Sequence, residues 1–452
     1  MPHRLRNLLL VFPWLVCLSG VLPAAERPNL IFLLTDDQRF DALGCMGNPV
    51  IKTPHIDELA RQGTLFENAF ATTSICATSR ASFITGQYAR RHGVHDFRTT
   101  LSAEQLAQSY PAKLREAGYR TAFIGKWGVG GPLPEDQYDY WRGFPGQGQY
   151  FVEGRDHMTQ HLSNQTMEFL DTCQPDQPFC LQVSYKAAHC QDGPGWQFQH
   201  APKYEDYYQD VTVEPPSTAT DEHYRRLPEF LQGGEPRIRW GRRFDGEEMY
   251  QKNVKDYYRL LTGVDDAVGE MVAKLKEKDL FDNTIILFTS DHGFFLGEHG
   301  LAGKWYMHEE SIRIPLVVFD PRGPAKQRGQ RLDAMALSID VPATLLDYAG
   351  VKIPDVMQGE SLIPLIEGKK DSLRTDFFYE HLFPHATIRQ SEGVRTERWK
   401  YVRYVQEEPA YEQLFDLETD PHEERDLAQD PKHADKLKRL RERWRSLSAS
   451  LE

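Results

Sequence analysis

The chain has 452 residues, of which 40% are hydrophobic and 26% are charged, as is ordinary for a globular protein. This composition excludes a disordered chain, and the sequence contains no visible internal repeat. The net charge of −13 argues against nucleic acid as a partner, because contacts with phosphates require a basic face. An anionic substrate would likewise require a small cluster of positive side chains within this acidic protein.

The chain begins with a segment that is typical of a secretory signal peptide. Arg4 and Arg6 precede an apolar run from Leu8 to Leu22, and Pro23-Ala24-Ala25 offers small residues for cleavage. The run is short for a membrane span. We therefore predict a signal peptide at residues 1–25, with an uncleaved anchor as the alternative, and no integral membrane segment after cleavage. The mature protein would be secreted or periplasmic, or lysosomal in a eukaryote.

Four apolar runs predict buried strands, and polar residues follow each of them. Continuous apolar runs of this length are typical of parallel strands that are covered on both faces. The runs are Asn29 to Thr35 before Asp36-Asp37, Tyr119 to Ile124 before Gly125-Lys126-Trp127, Phe179 to Tyr185 before His189, and Thr284 to Ser290 before Asp291-His292-Gly293.

Helical patterns lie between these runs. Thr53 and Pro54 predict the N-cap and the first residue of a helix that ends at Gly63. Residues 113–117 and 253–278 predict two more helices. The alternation predicts an α/β fold with a large, mainly parallel sheet flanked by helices. Because ligands of such sheets bind beyond the carboxyl ends of the strands, the polar clusters would share one site.

The pattern changes later in the chain. Residues 204–248 are rich in Pro, Arg and Glu without clear periodicity, which predicts a surface insertion. Short strands and a final helix then predict a small α+β subdomain. We therefore predict a main domain at residues 26–370 and a C-terminal subdomain at 371–452. The patterned segments of the subdomain are 377–379, 393–404 and 413–417 for strands and 433–447 for the helix.

Two of the strand ends carry paired ligand-type residues, Asp36-Asp37 and Asp291-His292. Adjacent carboxylates resist ionisation unless a cation or an arginine lies between them. Three carboxylates and an imidazole indicate a hard divalent cation, and Ca²⁺ is favoured over Mg²⁺ because it tolerates irregular oxygen ligands. The alternative is that each aspartate caps a helix or turn, as single aspartates often do.

The cysteines fit an exported protein. Cys173, Cys180 and Cys190 lie close together in the sequence, which predicts one disulfide among them in an oxidising compartment. The sequence leaves the pairing open.

The most distinctive segment runs from Ser74 to Gly86. A buried cysteine at the start of a helix is by itself ordinary. Here, however, Cys76, Arg80 and the Thr85-Gly86 pair resemble the signature of the sulfatase family, of the alkaline-phosphatase-like superfamily. That signature reads Cys, any residue, Pro or Ala, any residue, Arg, and then Thr-Gly. Thr78 departs from it, because Pro or Ala is usual there.

The resemblance covers most of the mature chain. The run that includes Gly297 to Gly300 is similar to that of carbohydrate sulfatases of the iduronate-2-sulfatase and N-acetylglucosamine-6-sulfatase kind. The other matching segments are Arg27 to Asp37, Thr53 to Ala60, Gly118 to Trp127, Trp399-Lys400-Tyr401, Leu414 to Leu417 and Asp420-Pro421.

The resemblance implies that Cys76 becomes the nucleophile of a sulfate ester hydrolase. A formylglycine-generating maturation enzyme would oxidise Cys76 to formylglycine, whose hydrated gem-diol form attacks sulfur. The metal is then expected to be calcium, with one oxygen ligand at position 76. The remaining implied ligands are Asp36, Asp37, Asp291 and His292. The last ligand is more often Asn in the family, and His occurs in a subset that includes iduronate- and choline-sulfatase-like members.

The resemblance also assigns roles to charged side chains. Arg80 would polarise the nucleophile and neutralise charge. Lys126 and Lys304 would bind sulfate oxygens, and His189 would protonate the leaving alcohol. Without the family, His189 would be read as a core or surface histidine. A dication, an arginine and two lysines would offset the repulsion between an anionic ester and its nucleophile.

One position departs from many relatives, which read Gly-Lys-Trp-His where this chain has Gly128 after Lys126-Trp127. We hypothesise that another residue takes the role of the missing histidine, with His92 or His95 as candidates.

The implied substrate is a sulfated glycan such as a glycosaminoglycan. Trp141, Trp196 and Tyr150 could stack on sugar rings, although ordinary packing is the alternative for each. Two other functions stay open. One is a phosphodiesterase or phosphonate ester hydrolase that uses the same site, and the other is a secreted, non-catalytic glycan-binding protein in which Cys76 is never converted.

Overall fold

The structure is a computed structural model that describes residues 27–193 and 195–451, so the predicted signal peptide lies outside the described residues. The strands are β1 (Asn29–Thr35), β2 (Thr64–Phe70), β3 (Arg120–Lys126), β4 (Tyr140–Phe144), β5 (Phe179–Ser184), β6 (Thr284–Ser290), β7 (Phe295–Leu296), β8 (Ala302–Gly303), β9 (Arg313–Phe319), β10 (Gln330–Leu332), β11 (Ala336–Leu337), β12 (Asp376–His381), β13 (Ser391–Thr396), β14 (Trp399–Tyr404) and β15 (Tyr411–Asp416). The α-helices are α1 (Pro54–Gln62), α2 (Cys76–Thr85), α3 (Ala89–His92), α4 (Ala103–Ala107), α5 (Tyr110–Glu116), α6 (Met158–Asp171), α7 (Asp221–Arg226), α8 (Glu235–Arg243), α9 (Glu247–Glu277), α10 (Glu309–Ile312), α11 (Asp340–Tyr348), α12 (Ile363–Ile366) and α13 (Ala434–Ser450).

The main sheet follows the strand order β10-β2-β9-β6-β1-β5-β3-β4, with β11 also paired to β2. Its neighbouring strands are parallel except at β9, which runs antiparallel to both β2 and β6. The prediction of a large, mainly parallel sheet flanked by helices is therefore confirmed. The four strands predicted from apolar runs are β1, β3, β5 and β6, which lie side by side at the centre of this sheet.

The strand register brings the carboxyl ends of these central strands to one edge of the sheet. Leu34 of β1 pairs with Ser184 of β5, and Thr35 pairs with Ser290 of β6. Ser184 in turn pairs with Gly125 near the end of β3. The polar residues that follow the strands therefore emerge next to one another, at the edge where α/β sheets bind their ligands.

The central strand β1 is buried on both faces, as its continuous apolar sequence predicts. Ile31 and Leu33 pack in a core with side chains of α1, α6 and α9. Leu30, Phe32 and Leu34 pack on the other face, with side chains of α2, α5 and α11. Among the described residues, no helix is both long enough and apolar enough to cross a membrane.

Helix α1 begins and ends where the sequence predicts, but Thr53 does not cap it with its side chain. The backbone N–H groups of His55 and Ile56 donate instead to the carboxylate of Asp265, over 3.1 and 2.8 Å. Thr53 therefore occupies the predicted N-cap position, but a carboxylate from α9 rather than its hydroxyl satisfies the first turn.

The segment 204–248, predicted as a surface insertion, contains helices α7 and α8, which the sequence pattern did not indicate. The guanidinium of Arg237 lies 4.0 Å from the ring centre of Tyr224 and 3.7 Å from that of Trp240. Arginine side chains thus pack on aromatic rings where helices more often place aliphatic residues, which hides the helical periodicity.

The predicted disulfide is wrong, since every cysteine among the described residues is a free thiol. Cys173 packs in the core on one face of the sheet, and Cys180 packs in the core on the other. Cys190 follows the carboxyl end of β5, whereas Cys180 lies near its amino end. A disulfide needs Cα atoms about 4–7 Å apart, which this placement does not provide.

The last part of the chain forms an antiparallel sheet in the order β12-β13-β14-β15, against which α13 packs. This arrangement confirms the α+β character that the sequence predicts for the region. The single strand predicted over 393–404 is instead the hairpin of β13 and β14, because the alternating pattern continues across a two-residue turn. The domain boundary at residue 370 stays a prediction.

A buried ionic cluster joins this second sheet to the main one. Lys400 of β14 is fully buried and donates to Glu423 over 2.7 Å. Its ammonium also lies 2.9 Å from Glu309 of α10, which Arg395 of β13 binds as well. Because each charge in the cluster has partners of opposite sign, the burial of these groups is tolerated.

We expect Lys400→Met to lower the free energy of unfolding by about 3–5 kcal/mol, because it removes the cation that binds the buried Glu423 and one of the cations that bind Glu309. Urea denaturation followed by tryptophan fluorescence measures the change. Lys438→Met, at an exposed position of α13, is the matched control and should change stability by less than about 0.5 kcal/mol. Equal midpoints for the two variants would contradict the structural importance of the cluster.

Candidate active site

Cys76 is the first residue of α2 and lies at the carboxyl edge of the main sheet. Its side chain is fully buried, and its Sγ atom lies 3.4 Å from Asp36 Oδ1 and 3.5 Å from Lys304 Nζ. The first turn of a helix presents unsatisfied N–H groups, which favour an anion at this position.

Arg80 lies one helical turn after Cys76, so both side chains share one face of α2. Its guanidinium binds Asp291 over 3.0 Å, Asp36 over 3.1 Å and the backbone carbonyl of Lys126 over 3.0 Å. The ammonium of Lys126 also donates to Asp36. The spacing of Cys and Arg in the signature therefore places a nucleophile position and a cation together above three strand ends.

Asp37, Lys304 and two histidines complete the inner part of the site. Lys304 Nζ donates to Asp37 Oδ1 over 2.6 Å, and His292 Nδ1 lies 3.4 Å from the same oxygen. His189 Nε2 lies 3.8 Å from Asp37 Oδ2. The structure thus brings together the nine residues that the family resemblance assigns to the metal and to the reaction.

The donor set fits a divalent cation. Ligand atoms of Asp36, Cys76, Asp291 and His292 lie within 4.8 Å of one another, as do those of Asp36, Asp37 and His189. The buried atoms Asp37 Oδ2 and His292 Nε2 have no hydrogen-bond partner. Unpartnered buried polar atoms are rare and costly, and a cation bound between carboxylate oxygens and an imidazole would satisfy them.

Burial and neighbouring charges shift the pKa values of the acidic groups in the site in opposite directions. Burial opposes the charge of Asp36, but Lys126 and Arg80 outweigh it and hold its pKa well below the usual range. Burial and the nearby Asp36 charge instead raise the pKa of Asp291. The same two causes raise the pKa of the Cys76 thiol to about 12. An unmodified Cys76 therefore stays a thiol, which is a poor nucleophile.

Burial and neighbouring charges also shift the pKa values of the basic groups in the site. Burial opposes protonation of Lys304, but the neighbouring Asp37 carboxylate outweighs it and raises the pKa of the lysine. Burial, and after it the charge of Lys304, lowers the pKa of His189 well below its usual value. His189 is therefore a neutral imidazole in the free protein.

A cavity of about 160 Å³ opens above Cys76. His189 and Lys304 line its inner part together with Gln147, whose side-chain oxygen accepts a hydrogen bond from Lys126 over 2.5 Å. Sequence reasoning missed Gln147, because it lies in a loop without a recognisable pattern. It also missed Ser184, which binds Arg80 and could have been found as the last residue of a central strand.

The outer part of the cavity comes from segments that no motif identified. Its lining includes Phe97, Phe383 and His385 on one side and Asp192, Glu235 and Arg239 on the other. The aromatic residues suggested by the sequence lie elsewhere. Trp141 packs in a cluster with Phe123, Tyr150 is buried and donates to the carbonyl of His189, and Trp196 does not line the cavity.

Gly128 has no room for a side chain. Its backbone has φ of +76°, and a Cβ atom there would overlap Cδ of Arg80. A side chain at position 128 would therefore require the side chain of Arg80 to move. His92 binds Ser82 over 3.1 Å, and neither His92 nor His95 is among the described residues that line the cavity. The structure gives no support to either histidine as the substitute.

The fold and the arrangement of side chains define the class of this protein, an α/β protein whose strand ends form a site for an anionic ligand. The profile of the sulfatase family matches residues 28–351. The profile described as "N-sulphoglucosamine sulphohydrolase, C-terminal" matches residues 297–450. The chain therefore belongs to the sulfatase family, as its signature segment predicts, and it is a sulfuric ester hydrolase.

Characterised proteins resemble the chain over nearly their full length. An N-acetylglucosamine-6-O-sulfatase of Bacteroides thetaiotaomicron is 29% identical over an alignment covering 94% of this chain and 87% of that protein. A solved structure in complex with its substrate D-glucosamine-2-N,6-O-disulfate has a TM-score of 0.84 and 26% identity, and covers 94% of this chain and 98% of that one. The structure of a phosphonate monoester hydrolase of Agrobacterium radiobacter has a TM-score of 0.79 and 22% identity, and covers 94% of this chain and 96% of that one. At this identity, the similarity shows a shared fold alone.

We expect Gly128→Ala to lower the free energy of unfolding by about 2–4 kcal/mol. The cost of a left-handed backbone at a residue other than glycine adds to the cost of the overlap between the new Cβ atom and Arg80. It should also lower kcat, because Arg80 must move away from the carboxylates. Thermal unfolding and turnover of a sulfate ester measure the two effects. Gly368→Ala is the matched control, as its φ is +66° but its Cβ would meet no atom within 4 Å. A similar loss in both variants would mean that crowding at Gly128 is unimportant.

Proposed function

We propose that this sulfatase hydrolyses sulfate esters of sugars, with Ca²⁺ bound beside Cys76 and with Cys76 converted to formylglycine. One observation carries the proposal. Two unpartnered buried ligand atoms, Asp37 Oδ2 and His292 Nε2, lie beside a fully buried cysteine that is surrounded by Arg80, Lys126 and Lys304.

The residues that would hold calcium are Asp36, Asp37, Asp291 and His292, with an oxygen at position 76 as a further ligand. The cation would supply positive charge next to the reacting sulfate, and the hydrated formylglycine would supply an oxygen nucleophile. All other contributions come from unmodified side chains of this chain.

Three cations of the chain would bind the sulfate group and neutralise the charge that develops on it. Lys304 lies 3.5 Å from Cys76 Sγ, so it can reach a sulfate oxygen beside that atom. Lys126 and Arg80 are held in place by Asp36, which keeps their charges directed at the same point. Positioned charges in a buried site stabilise a transition state because they need no reorganisation.

His189 would deliver the proton that the leaving alcohol takes. Its Nδ1 lies 2.7 Å from the carbonyl of Cys190, so Nδ1 carries a hydrogen and Nε2 faces the site. Because its imidazole is neutral in the free protein, Nε2 would first take up a proton from water as the anionic ester binds, and would then pass this proton to the leaving alcohol. In the overall reaction, the ester C–O–S link is replaced by an alcohol and free sulfate at the expense of one water.

The sugar substrate is proposed from the relatives, which include an N-acetylglucosamine-6-O-sulfatase, and from the size and walls of the cavity. A cavity of about 160 Å³ is small beside the roughly 300–1,000 Å³ of sites for drug-sized ligands. It suits one sulfated ring at the end of a glycan. We further propose export after removal of residues 1–25, a main domain at 26–370, and maturation by a formylglycine-generating enzyme.

We expect the peptide that contains Cys76 to carry an aldehyde that reacts with hydrazine and to resist alkylation of a thiol. Mass spectrometry of the denatured, digested protein measures both properties. Cys180, a buried cysteine outside the site, is the internal control and should alkylate fully. An intact, alkylated Cys76 in protein from its natural host would favour the non-catalytic glycan-binding alternative.

We expect Asp36→Asn to lower kcat/KM by more than about 100-fold, since residues that only orient metal ligands already cost about 10–100-fold. Equilibrium dialysis should show loss of the bound calcium. Asp340→Asn is the matched control, because Asp340 is a fully buried carboxylate paired with Arg374 away from the site. Calcium binding that survives Asp36→Asn would refute the proposed ligand set.

A further inference from the structure

The outer half of the cavity has an aromatic side. The rings of Phe97 and Phe383 lie 5.6 Å apart edge to face, and Phe383 stacks on His385 at 5.7 Å with a 19° angle between the ring planes. The ring of Phe97 remains 42% exposed, so it is accessible to a ligand in the cavity. An open aromatic surface beside a buried polar site is suited to the apolar face of a sugar ring.

The opposite side carries charges that compensate one another. Arg239 donates to Glu235 over 2.8 Å and to Asp192 over 3.3 Å, and its guanidinium lies 5.0 Å from the ring centre of Trp305. Asp192 is also 3.5 Å from the buried Arg243. The one arginine that lines this side of the cavity is therefore already bound by two carboxylates.

The remaining basic side chains that line the cavity also have partners. Lys304, at the sulfate position, is paired with Asp37. His189 Nδ1 lies 2.7 Å from the carbonyl of Cys190, and His385 Nδ1 accepts the backbone N–H of Thr387. Among the described residues that line the cavity, Arg239 is the one lysine or arginine outside the sulfate position, and two carboxylates bind it.

We infer that the cavity selects a sugar ring that carries one sulfate and no second anionic group. This inference rests on the proposed function and concerns the same site. The single sulfate would occupy the inner cations, the ring would lie against Phe97 and Phe383, and neutral hydroxyl or acetamido groups would hydrogen-bond Asp192 and Glu235. A second sulfate or a carboxylate would approach the carboxylates of Asp192 and Glu235, and Arg239 is already paired with both. Such an unfavourable contact discriminates between related ligands.

The test compares two substrates, N-acetylglucosamine 6-sulfate and glucosamine 2-N,6-O-disulfate, with protein whose Cys76 conversion has been measured. We expect kcat/KM to be at least about tenfold higher for the singly sulfated sugar, mainly through KM. Equal values, or a preference for the disulfate, would overturn the inference.

Glu235→Gln tests the cause of the preference, because it releases one of the two carboxylate contacts of Arg239. The ratio of kcat/KM for the disulfate to that for the monosulfate should rise about tenfold. Glu222→Gln is the matched control, since Glu222 and Arg226 form the same helical i,i+4 pair on the exposed α7. An unchanged ratio in Glu235→Gln, or an equal rise in the control, would contradict the assigned role of Glu235.

Binding separates this inference from the proposed function. Calorimetry with Cys76→Ala measures the affinity for both sugars without turnover. A preference for the monosulfate in this variant supports the inference even if the natural protein proves inactive. Turnover without a preference for the monosulfate would support the proposed function and contradict the inference.

Discussion

The site depends on the burial of the Asp36 carboxylate between Arg80 and Lys126. A buried carboxylate is tolerated only when cations and hydrogen bonds compensate its lost hydration. The three residues come from the end of β1, from α2 and from the end of β3, so the ion cluster can form only when these elements are correctly aligned. The same contacts that stabilise the sheet edge therefore position the cations around Cys76.

The loop after β1 shows how the fold supports this arrangement. Asp37 has φ of +60°, a left-handed backbone that is uncommon for residues other than glycine, although aspartate adopts it more often than most. Tyr257 of α9 donates to the carbonyl of Asp37 over 2.8 Å, and Asp291 accepts the N–H of Asp37 over 3.2 Å. Contacts from a helix and from a neighbouring strand end thus hold Asp37 in a conformation that turns its carboxylate toward Lys304.

The distribution of charge resolves the contrast between an acidic protein and an anionic substrate. The cations of the site are buried and concentrated at the inner end of the cavity, whereas the acidic surplus lies on the rest of the molecule. Toward the opening, Arg239 is neutralised by its carboxylate partners. The electrostatic attraction for sulfate is therefore short in range and limited to one position, which suits recognition of a single group.

The sequence by itself determined the central strands, the polar residues at their ends and the spacing of Cys76 and Arg80. These features are local, because continuous apolar runs reveal buried strands and a helical turn places residues four apart on one face. The resemblance of the signature segment then added the family, which the profile match over 28–351 confirms.

Only the tertiary structure decided the features that join distant parts of the chain. Asp265 caps α1 from more than two hundred residues away, Cys173 and Cys180 lie on opposite faces of the sheet, and the packing of Arg80 excludes a side chain at Gly128. The outer walls of the cavity include separated segments near residues 97, 192, 235–239 and 383–385. No local pattern encodes such contacts, because each depends on where the fold brings two remote pieces of chain together.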